Sequence, residues 1–212
     1  MKPSLARLLL ALVLWGVAAS IAGYFRLFLH LPPAIVPLLV ATLTLAAAFS
    51  LQRIGWVRAA VADVGRRGLI GVHVIRFVGV AFLWLHAQGR LPAEFAQRAG
   101  WGDIATATGA VAFLVFPRVA NDRRVFGAWN VFGALDLLVA VGTAGWLNLT
   151  RPGSRIELSA LPFTLVPLWF VPVLLATHGL MLQQTFSNRG SSDRHDVADR
   201  DVTRRHPIGT QS

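Results

Sequence analysis

The chain contains no cysteine. That excludes disulfides, thiolate metal sites and a cysteine nucleophile, and says little about compartment, because membrane helices need no such staples. Charge is equally scarce: only 14% of residues are Asp, Glu, Lys or Arg, against about 25% in ordinary soluble domains. None of the long apolar runs holds a lysine, so a retinal-type Schiff base is excluded. There is no HExxH, no Gly-x-Ser-x-Gly, no Gly-rich phosphate loop and no internal repeat. Inside the apolar runs no carboxylates are expected to pair. A catalytic residue is therefore not assigned, and the balance of the sequence leans against an enzyme.

What the chain has is apolar length. It is 55% hydrophobic with a mean hydropathy of +0.58, and a bilayer-crossing helix needs about 20 such residues at 1.5 Å rise each. Six stretches come near that length: residues 8–29, 33–51, 69–88, 102–116, 126–147 and 161–183. The fourth is short and carries Asp103 at its start, but omitting it would put Arg123 on the opposite side from Arg66. The predicted fold is an all-α, polytopic transmembrane bundle occupying residues 1–186, with a polar, mixed-charge tail at 187–212 that is expected to be disordered.

Arginine and lysine set the expected orientation. One side collects Lys2, Arg7, Arg53, Arg58, Arg66, Arg67, Arg118, Arg123 and Arg124, plus the arginines of the tail. The other holds Arg26, Arg90, Arg98, Arg151 and Arg155. The richer side faces the cytoplasm, which puts both termini in the cytoplasm and the bundle in a bacterial inner (plasma) membrane. The formal charge of +10 is thus read as a flanking pattern and not as a nucleic-acid surface. The expected partner is the lipid bilayer, with a second copy or a membrane subunit as further options. Lys2 and Arg7 ahead of LLLALVLWGVAAS also fit a signal peptide. The run continues through Ile21, Tyr24 and Phe25, which favours an uncleaved first helix.

Tryptophans 56 and 129 fall at predicted inner boundaries, and Trp84, Trp101 and Trp146 at outer ones, an interfacial belt. Leu91-Pro92 is expected to open a short helix lying on the outer interface and ended by Gly100, with Glu94 and Arg98 as an i,i+4 pair. Ala105 with Gly109 and Gly142 with Gly145 read as close-packing pairs. Asn148-Leu149-Thr150 matches a glycosylation sequon, taken as chance.

Polar residues deep in apolar runs are costly and mark function by default. Arg76 lies near the middle of the third run and Asp136 near the middle of the fifth, within about 3 Å of the same depth at 1.5 Å per residue. They are expected to pair. The pair is either architectural, fixing which helices are neighbours, or a proton or cation site gated by Arg76. Asp136→Asn is expected to strand the arginine and impair folding or yield, and Arg76→Leu with Asp136→Leu to restore it. A second polar layer comprises His73, Asn130 and His178. His73 and Arg76 are three apart and share a face. Haem b held by His73 and His178 is the alternative cofactor reading; otherwise no cofactor or metal is implied. Pro162 suits a first helical position. Pro167 and Pro172 each remove a backbone donor from the sixth run, making them hinge or kink candidates.

GRLPAEFAQRAGWGDI, AWNVFGALDLLVAVG and PFTLVPLWFVPVLLATHGLMLQQ together resemble a group of uncharacterised bacterial multi-pass membrane proteins, over roughly Gly71 to Gln184. The resemblance implies the membrane class and transfers no catalytic residue. The functional expectation is a small transport-like or partner-binding bundle, with a haem-b electron-transfer subunit as the alternative.

Overall fold

Helix breaks in this chain fall where glycine, proline or a charged turn permits them. A computed structural model describes residues 1–151, 153 and 156–187. The expected disordered tail, apart from its first residue, lies outside them. The elements are α1 (Pro3–Tyr24), α2 (Leu27–His30), α3 (Ile35–Arg53), α4 (Gly55–Gly71), a 3₁₀ stretch (Val72–Val78), α5 (Gly79–Ala87), α6 (Ala93–Val115), α7 (Pro117–Asn121), α8 (Arg123–Thr150), a short 3₁₀ turn (Glu157–Ser159), a π-helical segment (Val166–Phe170) and α9 (Val171–Ser187). The described residues contain no strand.

Five helical stretches are long and apolar enough to cross a membrane: Pro3–Tyr24, Ile35–Arg53, Gly55–Ala87, Arg123–Thr150 and Val166–Phe186. The fourth predicted run, 102–116, falls within α6 but for its last residue, and α6 is of similar length to these but more polar. Burial is inverted relative to a soluble protein. Leu14, Leu38, Leu45 and Phe49 are exposed, whereas His73, Arg76, Asn130 and His178 are fully buried. Side chains arranged this way suit a hydrocarbon solvent, in which polar groups seek the interior.

Several expectations are corrected. The first helix stops at Tyr24 and not at Leu29, because Arg26 turns the chain in the left-handed region at φ 48°. The connection between the second and third runs is itself helical, and α4 is broken at Gly65, whose φ of 67° and ψ of 175° suit only glycine. Gly65→Ala is expected to cost about 1–3 kcal/mol, read as a lower denaturation midpoint in detergent. Gly100 does not end a surface helix. α6 runs through it, after Pro92 as N-cap, and Gly79 and Gly100 bring two helix backbones together: a Cβ on Gly79 would sit 2.5 Å from the Gly100 carbonyl oxygen. Pro162 stands in a turn ahead of the sixth helix, not at its first position.

Packing neighbours are antiparallel along the centre of the bundle. Phe82 meets Phe95 and Arg76 meets Asp103, so α6 runs back along the third helix. Phe113 meets Phe126 and Trp129, so α8 returns along α6. α9 then packs on α8 through His178 and Asn130. One apolar cluster (Leu69, Ile70, Phe113, Phe126, Met181) lies toward one end and another (Phe82, Leu85, Phe95, Leu147) toward the other.

Ends are fastened by polar contacts. Asp122 caps α8, its Oδ1 accepting from the backbone N–H groups of Arg124 and Val125 at 2.8 and 3.2 Å, the ordinary N-cap arrangement. Arg67 donates to the Leu114 carbonyl at the end of α6, and Arg66 to that of Ala120 in α7. These carbonyls have no partner within their own helices. The Arg66 guanidinium also lies 4.0 Å over the Phe126 ring. At the opposite end Arg151 pairs with Glu94 at 2.8 Å and Arg90 with Glu157 at 2.6 Å. The predicted i,i+4 partner of Glu94 is thus replaced by Arg151. The backbone N–H of Glu94 and the charge of Arg151 hold its carboxyl below the usual range.

Candidate functional site

The 3₁₀ stretch places His73 and Arg76 one above the other, because side chains three apart eclipse at three residues per turn. Arg76 is 1% exposed and its hydrogen bonds fan out to three helices. Nε donates to Asp103 Oδ1 at 2.6 Å. Nη2 donates to Asp136 Oδ2. Nη1 donates to the Gly133 carbonyl at 3.0 Å and reaches His178 Nε2 at 3.4 Å. The predicted pairing of Arg76 with Asp136 is present, but it is half of a triad.

Asp103 is the member that sequence reasoning missed. The expectation that no two carboxylates meet inside the apolar runs is corrected here, since Asp103 and Asp136 share one guanidinium. Asp103 had been placed at the beginning of a short run. In the continuous α6 it is the eleventh residue of 23, near the centre of the helix. The signal was available: Glu94-x₈-Asp103 lies on a stretch whose helical spacing does not stop at Gly100.

The layer of His73, Asn130 and His178 is also assembled. Asn130 Nδ2 donates to the His178 carbonyl at 3.2 Å, and its Oδ1 meets His178 Nδ1. The amide thus accepts from His178 Nδ1–H, leaving the Nε2 lone pair to face Arg76. His178 is in that tautomer a neutral acceptor. Thr177 Oγ1 donates to the Leu174 carbonyl at 2.9 Å and lies 3.3 Å from His73 Nε2, so His73 donates from Nε2. Its Nδ1 is buried without a partner, an unfilled acceptor.

Small residues create the space. A Cβ on Gly133 would lie 2.6 Å from His178 Cε1, and one on Gly102 would overlap the Asp136 carboxylate. Gly109 seats Trp129, whose Nε1 donates to the Thr106 carbonyl at 3.0 Å. Trp129 is therefore interior, packed edge-on to His73, and not part of a boundary belt. Of the expected packing pairs, Gly109 meets Trp129 while Ala105 is exposed, and Gly145 meets Pro37 while Gly142 has no neighbour within 4 Å among the described residues. Asn148 of the sequon is buried and donates to the Pro33 carbonyl.

Pro167 lies within the π-helical segment, ten residues before Thr177, and Pro172 in the first turn of α9, five residues before it. A proline removes the donor that an α-turn would use, and single π-turns inside helices recur at functional sites. The His73 and His178 rings are in contact, with centroids 4.0 Å apart. As they stand they leave no width for a porphyrin between them.

Helices and no strands among the described residues, with five helical stretches long and apolar enough to cross a membrane, define the class: an all-helical bundle around a buried charged centre. The profile of a family described as "Domain of unknown function (DUF8737)" matches residues 33–186, well over half of the chain. The chain belongs to that family. The match begins after α1 and α2 and takes in every member of the charged centre. No curated protein and no solved structure matches the chain.

Proposed function

We propose that this chain is a transport-like, multi-pass protein of a bacterial inner membrane that binds and releases a proton at the triad of Arg76, Asp103 and Asp136. The observation that carries this reading is the charge balance. Two carboxylates meet one guanidinium, and among the described residues no other cation pairs with either. With both ionised, the centre would bear an uncompensated negative charge in a medium that penalises it heavily. One shared proton makes it neutral. The unfilled His73 Nδ1 supplies a further acceptor close by, beside the His178 ring.

The arginine distribution and the alternating course of the helices support six crossings with both ends cytoplasmic, with α6 as the crossing too polar to stand alone in lipid. Its charge is shielded by the third helix and α8. Pro167 and Pro172, beside a π-turn, supply a place for α9 to bend.

Infrared difference spectroscopy of the purified protein is expected to show the C=O stretch of a protonated carboxyl group, absent from both Asp103→Asn and Asp136→Asn, in each of which the remaining carboxylate balances Arg76. In proteoliposomes carrying an internal pH dye, an imposed potential should drive proton entry above that of empty vesicles, reduced at least tenfold by Asp136→Asn. Flux indifferent to both aspartates, with no protonated carboxyl band, would refute the reading.

A further inference from the structure

We infer that the triad is also the anchor of a ligand site, and that its ligand is an apolar amine in the ammonium form. This deepens the proton-binding reading and rests on it for the location of the site. A cleft of about 100 Å³ runs between helices from the triad toward the end of the bundle that holds Asn148. Its walls include Val40, Ile75, Phe82, Phe95, Leu137 and Phe170. Arg76 and Asp103 also line it, and Asn148 stands farther along. On α8, Asn148 is twelve residues beyond Asp136, a rise of about 18 Å.

The unused polar atoms decide the chemistry. Arg76 spends four of its five N–H groups on Asp103, Asp136, the Gly133 carbonyl and His178. Asp103 is bonded through Oδ1, and Oδ2 has no hydrogen-bond partner among the described residues. Asn148 Oδ1 is buried and unpartnered too. Both vacancies are acceptors, so a ligand must donate. A carboxylate or phosphate would face Asp103 with like charge and find only the second Nη2 N–H of Arg76 to donate to it. An ammonium group would donate to Asp103 Oδ2 and neutralise the excess charge in place of the proton. Phe28, Phe82, Phe95 and Phe170 line the same cleft, and aromatic faces attract cations.

Access fits the same class. Ile75, adjacent to Arg76, lines the cleft and is 44% exposed. The cleft therefore meets the outer surface at the level of the triad, where hydrocarbon is expected, and a ligand entering there must partition into lipid.

The test compares 4-phenylbutylamine, 4-phenylbutanol and 4-phenylbutanoate by titration calorimetry on the full-length protein in nanodiscs. The amine should bind at least tenfold more tightly than the alcohol, and the carboxylate least of all. Asp103→Asn should weaken amine binding at least tenfold and Asp103→Glu by much less. Amine binding should release protons, seen as a heat that varies with buffer ionisation enthalpy. Equal or better binding of the carboxylate overturns the assignment, and this comparison needs only the unaltered protein. Amine binding unaffected by a folded Asp103→Asn overturns it as well. If proton flux persists while amine selectivity fails, the ligand class alone is wrong. If Asp103-dependent amine binding appears without flux, the proton-transport reading fails and the ligand site stands.

Discussion

Arg76→Leu is expected to destabilise the bundle by about 3–5 kcal/mol, the cost of leaving buried charge without its partner. Two carboxylates lose their counter-ion at once, and the Gly133 carbonyl and His178 lose a donor. Equilibrium unfolding in mixed micelles measures it. Asp136→Asn should be far milder, because Arg76 and Asp103 remain as a balanced pair. This reverses the expectation drawn from the sequence, in which Asp136→Asn stranded the arginine. The double variant Arg76→Leu with Asp136→Leu should not restore stability, since Asp103 would remain buried without the Arg76 donor. Recovery requires neutralising all three, as in Arg76→Leu with Asp103→Asn and Asp136→Asn. An Arg76→Leu protein as stable as the parent would show that the centre is not held together by charge.

Gly102→Ala should have the second large effect. The added methyl overlaps the Asp136 carboxylate, so either that side chain leaves Arg76 or α6 and α8 move apart. Overpacking a close interface costs about 1–3 kcal/mol, and proton flux should fall at least tenfold even where the protein still folds. Gly142→Ala is the matched control. It is helical with nothing within 4 Å, and should leave stability unchanged or slightly raise it, since glycine is a poor helix former. Melting curves and flux for the two variants settle the comparison. Equal behaviour would mean that the Gly102 contact is unimportant.

The helical class was legible because long apolar runs leave few other structures. Arg76 and Asp136 were legible because an isolated charge in such a run is conspicuous, and equal depth pointed to their pairing. His73, Asn130 and His178 were brought together by the same counting. Asp103 escaped because Gly100 and Trp101 look like an ending and a boundary. A glycine at a helix crossing and a glycine after a helix read alike until the neighbouring backbone is known. Trp129 was misplaced for a related reason: its indole has a seat only because Gly109, twenty residues earlier, lacks a side chain. The Arg66 and Arg67 contacts with the ends of α7 and α6 depend on helix ends that periodicity does not locate.

The seven-residue 3₁₀ stretch beneath His73 and Arg76 acts as a wound spring of fixed composition. At about 2.0 Å per residue it is some 3.5 Å longer than the same residues at α-helical pitch. Rewinding it to 3.6 residues per turn would swing one of the two side chains about 60° away from the other. The same rewinding would shorten the path from α4 to α5 and draw α5 inward as the histidine and arginine part.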